Sequence, residues 1–112
     1  MTAIIPLRSA PGQIVFERQE LDAIMQLYGR MVAAGHWRDY AIDFGREVAV
    51  FSAFRRAAER PEYRLVKDPR LRARQGQYAL LSEAGATLKR GNDLAAVLAP
   101  VARKLVKLVE RA

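Results

Sequence analysis

Arginine is the residue type around which any chemistry in this chain would be organised. Arg55, Arg56, Arg60, Arg64, Lys67, Arg70, Arg72 and Arg74 fall within one stretch. Only Glu59, Glu62 and Asp68 oppose them there, so the stretch carries five of the net +7 charges. A guanidinium presents a planar fork of donors that grips a phosphate or carboxylate through two parallel hydrogen bonds. In Arg70-Leu71-Arg72-Ala73-Arg74 the arginines alternate, and an extended loop would turn all three to one side. Lys89 and Arg90 run into the start of a predicted helix, where backbone amides favour anions. The candidate anion-binding set is therefore Arg55, Arg56, Arg64, Arg70, Arg72, Arg74, Lys89 and Arg90. Contact with about six phosphates would give a log–log salt slope of about −5. Two plainer readings compete. A charged hairpin tip also keeps a sheet edge from pairing with other chains, and Asn92 or Asp93 can cap those helix amides unaided.

Other reactive groups are sparse. His36 is the one histidine, and there is no cysteine, so thiolate metal sites, disulfides and cysteine nucleophiles are excluded. Asp39 and Asp43 share a face of a predicted strand, but their α-carbons are then roughly 13 Å apart. That is too far for a paired-carboxylate mechanism, which works at about 5 to 9.5 Å. None of the motifs G-x-S-x-G, H-E-x-x-H, G-x-G-x-x-G or G-x-x-x-x-G-K-[ST] occurs. No catalytic residue, metal ligand or cofactor is assigned. Trp37, Tyr40, Phe44, Phe51, Phe54, Tyr63 and Tyr78 have the composition of a base-stacking platform, but their alternation with polar residues reads as a sheet core for at least five of them. Met25 and Met31 read as core filling in the same way.

These groups must be positioned by a single domain, the size expected for 112 residues. Residues 1–12 (with Pro6, Ser9, Pro11 and Gly12) read as a flexible N-terminal tail, and 13–112 as one α+β domain. Gln13–Phe16 reads as a short extended piece. Leu21, Ile24, Leu27, Tyr28, Met31 and Val32 recur at helical spacing, and Gly35 ends that helix. No Ser, Thr, Asp or Asn marks its start. In 39–44 Tyr40, Ile42 and Phe44 alternate with Asp39, Ala41 and Asp43, as in a strand with one wet face. Residues 47–54 are apolar on both sides, which predicts a central strand covered on both faces. Strands at 62–67 and 77–82 follow, then a turn at 83–85 with a short extension to Lys89. Leu94, Val97, Leu98, Val101, Leu105, Leu108 and Val109 stripe a last helix, with a kink or break expected at Pro100. The predicted fold is a four-stranded antiparallel meander packed by an N-terminal and a C-terminal helix, α-β-β-β-β-α. That element order is shared with double-stranded RNA-binding domains, but their Gly-Pro-x-His loop and the lysines that open their last helix are missing here.

The runs LYGRMVAAG (27–35) and WRDYAID (37–43), with AVFS (49–52), FRR (54–56) and LKRG (88–91), are distinctive. They make the chain resemble, over roughly residues 14 to 102, a family of short alphaproteobacterial proteins grouped as a domain of unknown function. The resemblance implies a bacterial, cytoplasmic, stand-alone domain and no particular reaction or ligand. A cytoplasmic location also agrees with the lack of cysteine, of a signal peptide and of any apolar run long enough to span a membrane. Two expectations about function follow. One is a small non-enzymatic binding module whose arginines meet a polyanion such as nucleic acid, or an acidic protein. The other is a protein-interaction domain, including a homodimer, that uses apolar surface left by the 48–54 strand and the last helix.

Overall fold

The computed structural model describes residues 12–57 and 59–111, so the predicted tail at 1–12 lies, Gly12 apart, outside the described residues. Helix α1 (Arg18–Ala33) is followed by strands β1 (Asp39–Phe44), β2 (Ala49–Phe54), β3 (Tyr63–Lys67), β4 (Tyr78–Ser82) and β5 (Thr87–Gly91), and helix α2 (Leu94–Arg111) closes the chain. The strands form one antiparallel sheet in the order β1-β2-β3-β4-β5, a simple meander with β3 at its centre.

The fold class stands, but the sheet has five strands where four were expected. Residues 87–91 are Thr-Leu-Lys-Arg-Gly, an edge strand without apolar alternation and largely exposed. Its register also slips between Leu80 and Leu81, where Leu88 is the extra residue of a bulge.

α1 starts on a capping box that needs no hydroxyl or Asp cap. Glu17 is the N-cap, and the Glu20 carboxylate accepts from the Glu17 amide at 2.6 Å. Gly35, at φ +78°, ends the helix with its amide bonded to the Val32 carbonyl. Pro100 does not break α2, which runs unbroken for 18 residues. The carbonyl it leaves unpaired belongs to Ala96, an exposed residue that water can serve.

Strand alternation divides the sheet into two unlike faces. Toward the helices point Tyr40, Ile42 and Phe44, then Ala49, Phe51 and Ala53, then Tyr63 and Leu65, then Tyr78 and Leu80; all belong to or pack on the core built with Ile24, Met31, Val97, Val101 and Leu105. Phe16, wholly buried, joins that core from the segment before α1. Tyr28 packs edge-on to Tyr40, with ring centroids 4.9 Å apart, and Tyr40 stacks on Phe51 at 5.8 Å. Six of the seven aromatics weighed as a stacking platform are therefore core or packed against it, and Phe54 stands apart.

The opposite face carries Ala41, Val50, Ser52, Phe54, Arg64, Val66, Ala79 and Leu81, none of them part of that core. Among the described elements no helix lies over it, since α1 and α2 both pack on the other side. The expectation that β2 is covered on both faces is thus corrected. On its second face Val50 and Phe54 are half-buried and Ser52 is buried, with no helix among the described residues lying over them.

Candidate functional site

The sheet separates the arginines. β3 runs between two loops at opposite ends of the meander, with residues 55–62 at one end and 68–77 at the other. Arg55 and Arg56 are exposed at the first end, beside Arg38, whose amide bonds to the Phe54 carbonyl at 2.8 Å. Arg70, Arg72 and Arg74 lie at the second end. The intervening strand of five residues spans about 13 Å.

The 70–74 stretch is not extended. Pro69–Leu71 form a 3-10 turn, and the amides of Arg74, Gln75 and Gly76 all bond back to the Leu71 carbonyl. The alternation of the three arginines therefore does not place them on one side. Arg70 is engaged by Asp68 through Nε at 3.0 Å and Nη2 at 2.9 Å, and by Glu47 at 3.4 Å. Arg72 donates to the Gln77 side chain at 3.2 Å, and Arg90 to the Gly76 carbonyl at 3.2 Å. These three hold the loop together. Arg74 and Lys89 are exposed. Lys89 sits on edge strand β5 opposite Leu80, hence toward the helices, whereas Arg90 lies opposite Ala79 on the other face. Asp93 caps α2, accepting from the Ala95 amide at 3.1 Å. Asn92 is used elsewhere, accepting from the Gln77 amide at 2.8 Å and donating to the Arg72 carbonyl at 2.9 Å.

Arg64 differs from all of these. It stands on central strand β3, on the face without helices, between Ser52 and Leu81 of the adjoining strands. Its Nε is enclosed and has no hydrogen-bond partner. Among the described residues no carboxylate pairs with it.

Two polar clusters inside the helix-bearing layer escaped the reading of the sequence, because their members are scattered along the chain. In the first, Glu62 accepts from Trp37 Nε1 at 2.8 Å, His36 Nε2 at 2.9 Å and Lys104 Nζ at 2.8 Å. It thereby joins the end of α1, the start of β3 and the middle of α2. In the second, buried Lys67 donates to Glu20 at 2.8 Å and to the Val15 carbonyl at 3.0 Å, while the Tyr78 hydroxyl donates to the other Glu20 oxygen. Burial and the Glu20 carboxylate push the Tyr78 hydroxyl far above its ordinary 10, so it remains a donor. Both clusters fasten helices to the sheet. The core cavity, lined by Ile24, Trp37, Phe51, Leu65 and Leu80 among others, has about 10 Å³, room for one water at most. Among the described residues no three acidic or histidine side chains converge to hold a metal ion, and no helix is long and apolar enough to cross a membrane.

A family model, a protein of unknown function designated DUF2794, matches residues 14–98. The chain belongs to the DUF2794 family. The match spans all five strands, α1 and every candidate cation of this DUF2794 chain, and ends within α2. No curated protein and no solved structure matches it.

The Glu62 cluster gives this DUF2794 domain a defined response to acid. Burial alone would raise the Glu62 carboxyl, but hydrogen bonds from Lys104, Trp37 and His36 outweigh it and hold the group below its ordinary 4.5. The Arg70 fork similarly holds Asp68 below 3.8. A carboxylate with a lowered folded-state pKa contributes stability that is complete above its unfolded value and is lost as pH falls through the folded one. Unfolding free energy measured by urea titration is expected to be level from pH 7 to about 5 with respect to these groups and to fall below about pH 4.5. Glu62→Gln is expected to make that fall shallower, and an unchanged fall would remove Glu62 from the account.

Proposed function

We propose that this DUF2794 chain is a cytoplasmic, non-enzymatic interaction domain that docks a partner on the helix-free face of its sheet. The observation that carries the reading is the half-buried apolar row Val50 and Val66, with Leu81 beside it and Phe54 beyond Ser52, residues outside the core with no described element over them. A sheet with one wet face ordinarily alternates apolar and polar residues, and that alternation fails here where it would serve only solubility. Contiguous apolar surface on a soluble domain marks a contact. A photo-crosslinking amino acid in place of Val66 or Leu81, expressed in the cells that make the protein, is expected to give discrete adducts. The same probe in place of exposed Lys107 is expected to give none, and equal labelling at the three positions, or none at 66 and 81, would overturn the reading.

A second reading, contact with a polyanion such as nucleic acid, draws support from Arg55 and Arg56, which are exposed, adjacent and without carboxylate partners among the described residues. Together with Arg38 and Arg60 they make a group of four, so the salt slope expected for a duplex or single strand is about −2 to −4 rather than −5. Arg55→Ala with Arg56→Ala should flatten that slope by about 2 in a gel-shift series, and a wild-type slope near zero would end this reading.

A further inference from the structure

The helix-free face has a definite charge pattern as well as an apolar one. Its centre is Arg64, flanked by Val50, Ser52, Val66 and Leu81 on the same or neighbouring strands. Its β1 edge is acidic, with Asp39 and Asp43 both exposed. Toward β5 lies Arg90, already bonded to the Gly76 carbonyl. Among the described residues Arg64 is thus the cation of this face without a partner; its Nε–H is enclosed and unmet, so the outer guanidinium nitrogens are what an incoming group can reach.

We infer that the face docks an apolar protein segment bearing a carboxylate, which the Arg64 guanidinium receives. The proposal rests on the sheet-face reading above and names the chemistry of the occupant. A guanidinium set among apolar side chains matches a single anionic group with apolar neighbours, since a two-pronged ion pair there is shielded from water. A polyanion suits the face poorly. It would leave the valines, Leu81 and Phe54 unmatched, and would approach the β1 acids two strand spacings away, about 10 Å. A second copy suits it poorly too. A centred two-fold axis between two such faces lays β3 on its own equivalent and brings Arg64 against Arg64, whichever way the axis runs in the plane. The β1 acids add an expectation about the partner, a basic group about 10 Å from its carboxylate.

The test uses the full chain, labelled with nitrogen-15, and a blocked pentapeptide of sequence Val-Leu-Glu-Leu-Val alongside its Val-Leu-Gln-Leu-Val counterpart. The Glu peptide is expected to move amides of β2, β3 and β4 together with the Arg64 Nε–H resonance, and to bind about tenfold more tightly than the Gln peptide. Arg64→Gln should abolish the preference and Arg64→Lys should keep part of it, while the spectrum itself reports that each variant is folded. Equal affinity for the two peptides, shifts confined to Arg55 and Arg56, or no shift at millimolar peptide would overturn the carboxylate assignment. Shifts in the same strands on concentrating the protein alone would assign the face to a second copy, and would also overturn it. Adducts from Val66 and Leu81 can still form if the peptides fail, so failure of the chemistry and failure of the face are distinguishable.

Discussion

Gly76→Ala is expected to destabilise the domain by about 4 kcal/mol or more, among the largest effects a single methyl group can have. Gly76 sits just before β4 with φ +108°, a backbone region that L side chains rarely adopt. A β-carbon there would stand 2.4 Å from the α-carbon of Gly91 and 2.6 Å from its carbonyl carbon. Both are backbone atoms of the paired edge strand, so neither can step aside as a side chain would. The same place is held from three sides, by the Gly76 amide on the Leu71 carbonyl at 2.8 Å, by Arg90 on the Gly76 carbonyl and by Asn92 on the Gln77 amide. Relief would require β5 to part from β4, which also releases the start of α2. Gly85→Ala is the control. Gly85 has φ +92° but open space where its β-carbon would go, so only the conformational cost of about 1 to 2 kcal/mol remains. Urea denaturation of the two variants measures the difference, and similar midpoints would contradict the close approach of Gly76 to Gly91.

Glu62→Leu comes next, with an expected loss of about 2 to 3 kcal/mol and a melting temperature lower by roughly 10 °C. The three donors it abandons are not equal. The side chain of Lys104 is 36 % exposed, so its ammonium can turn to water, and Lys104→Met should cost about 1 kcal/mol or less. Trp37 is 4 % exposed and cannot re-solvate its indole N–H. The penalty of an unmet buried donor therefore falls chiefly there, with a share at His36. Thermal unfolding of the two single variants tests the order, and a larger loss for Lys104→Met than for Glu62→Leu would contradict it.

Apolar spacing was enough to place both helices and four strands, because each buries a regular stripe or alternation that the residue types display. β5 lacked that signal, since Thr-Leu-Lys-Arg-Gly buries no regular row of apolar side chains, unlike the other edge strand, β1. The capping box of α1 escaped because Glu17 and Glu20 look like ordinary first-turn acids until their side chains are placed. Sequence density of arginine proved a poor guide to spatial density. A five-residue strand lies between the two arginine loops, and the 3-10 turn after Pro69 coils the Arg70–Arg74 alternation. The doubly apolar character of β2 was legible as such. What it meant was not, because a strand covered by helices on both faces and one covered by helices on a single face have the same composition. Arg64 was among the candidate residues, but only the register, which puts it at the middle of that face, separates it from the arginines that brace loops.

The absence of cysteine from the chain offers the most direct test of whether that face is occupied in its working state. A single Val66→Cys variant can be alkylated both as purified protein and inside the cells that make it, with Leu65→Cys as the buried reference and Lys107→Cys as the exposed one. The account predicts that the thiol at 66 reacts almost as fast as the one at 107 in the purified domain and is strongly protected in the cell. Equal reactivity at 66 in both settings would mean that nothing docks there, and protection in the purified domain would mean that the face is already covered.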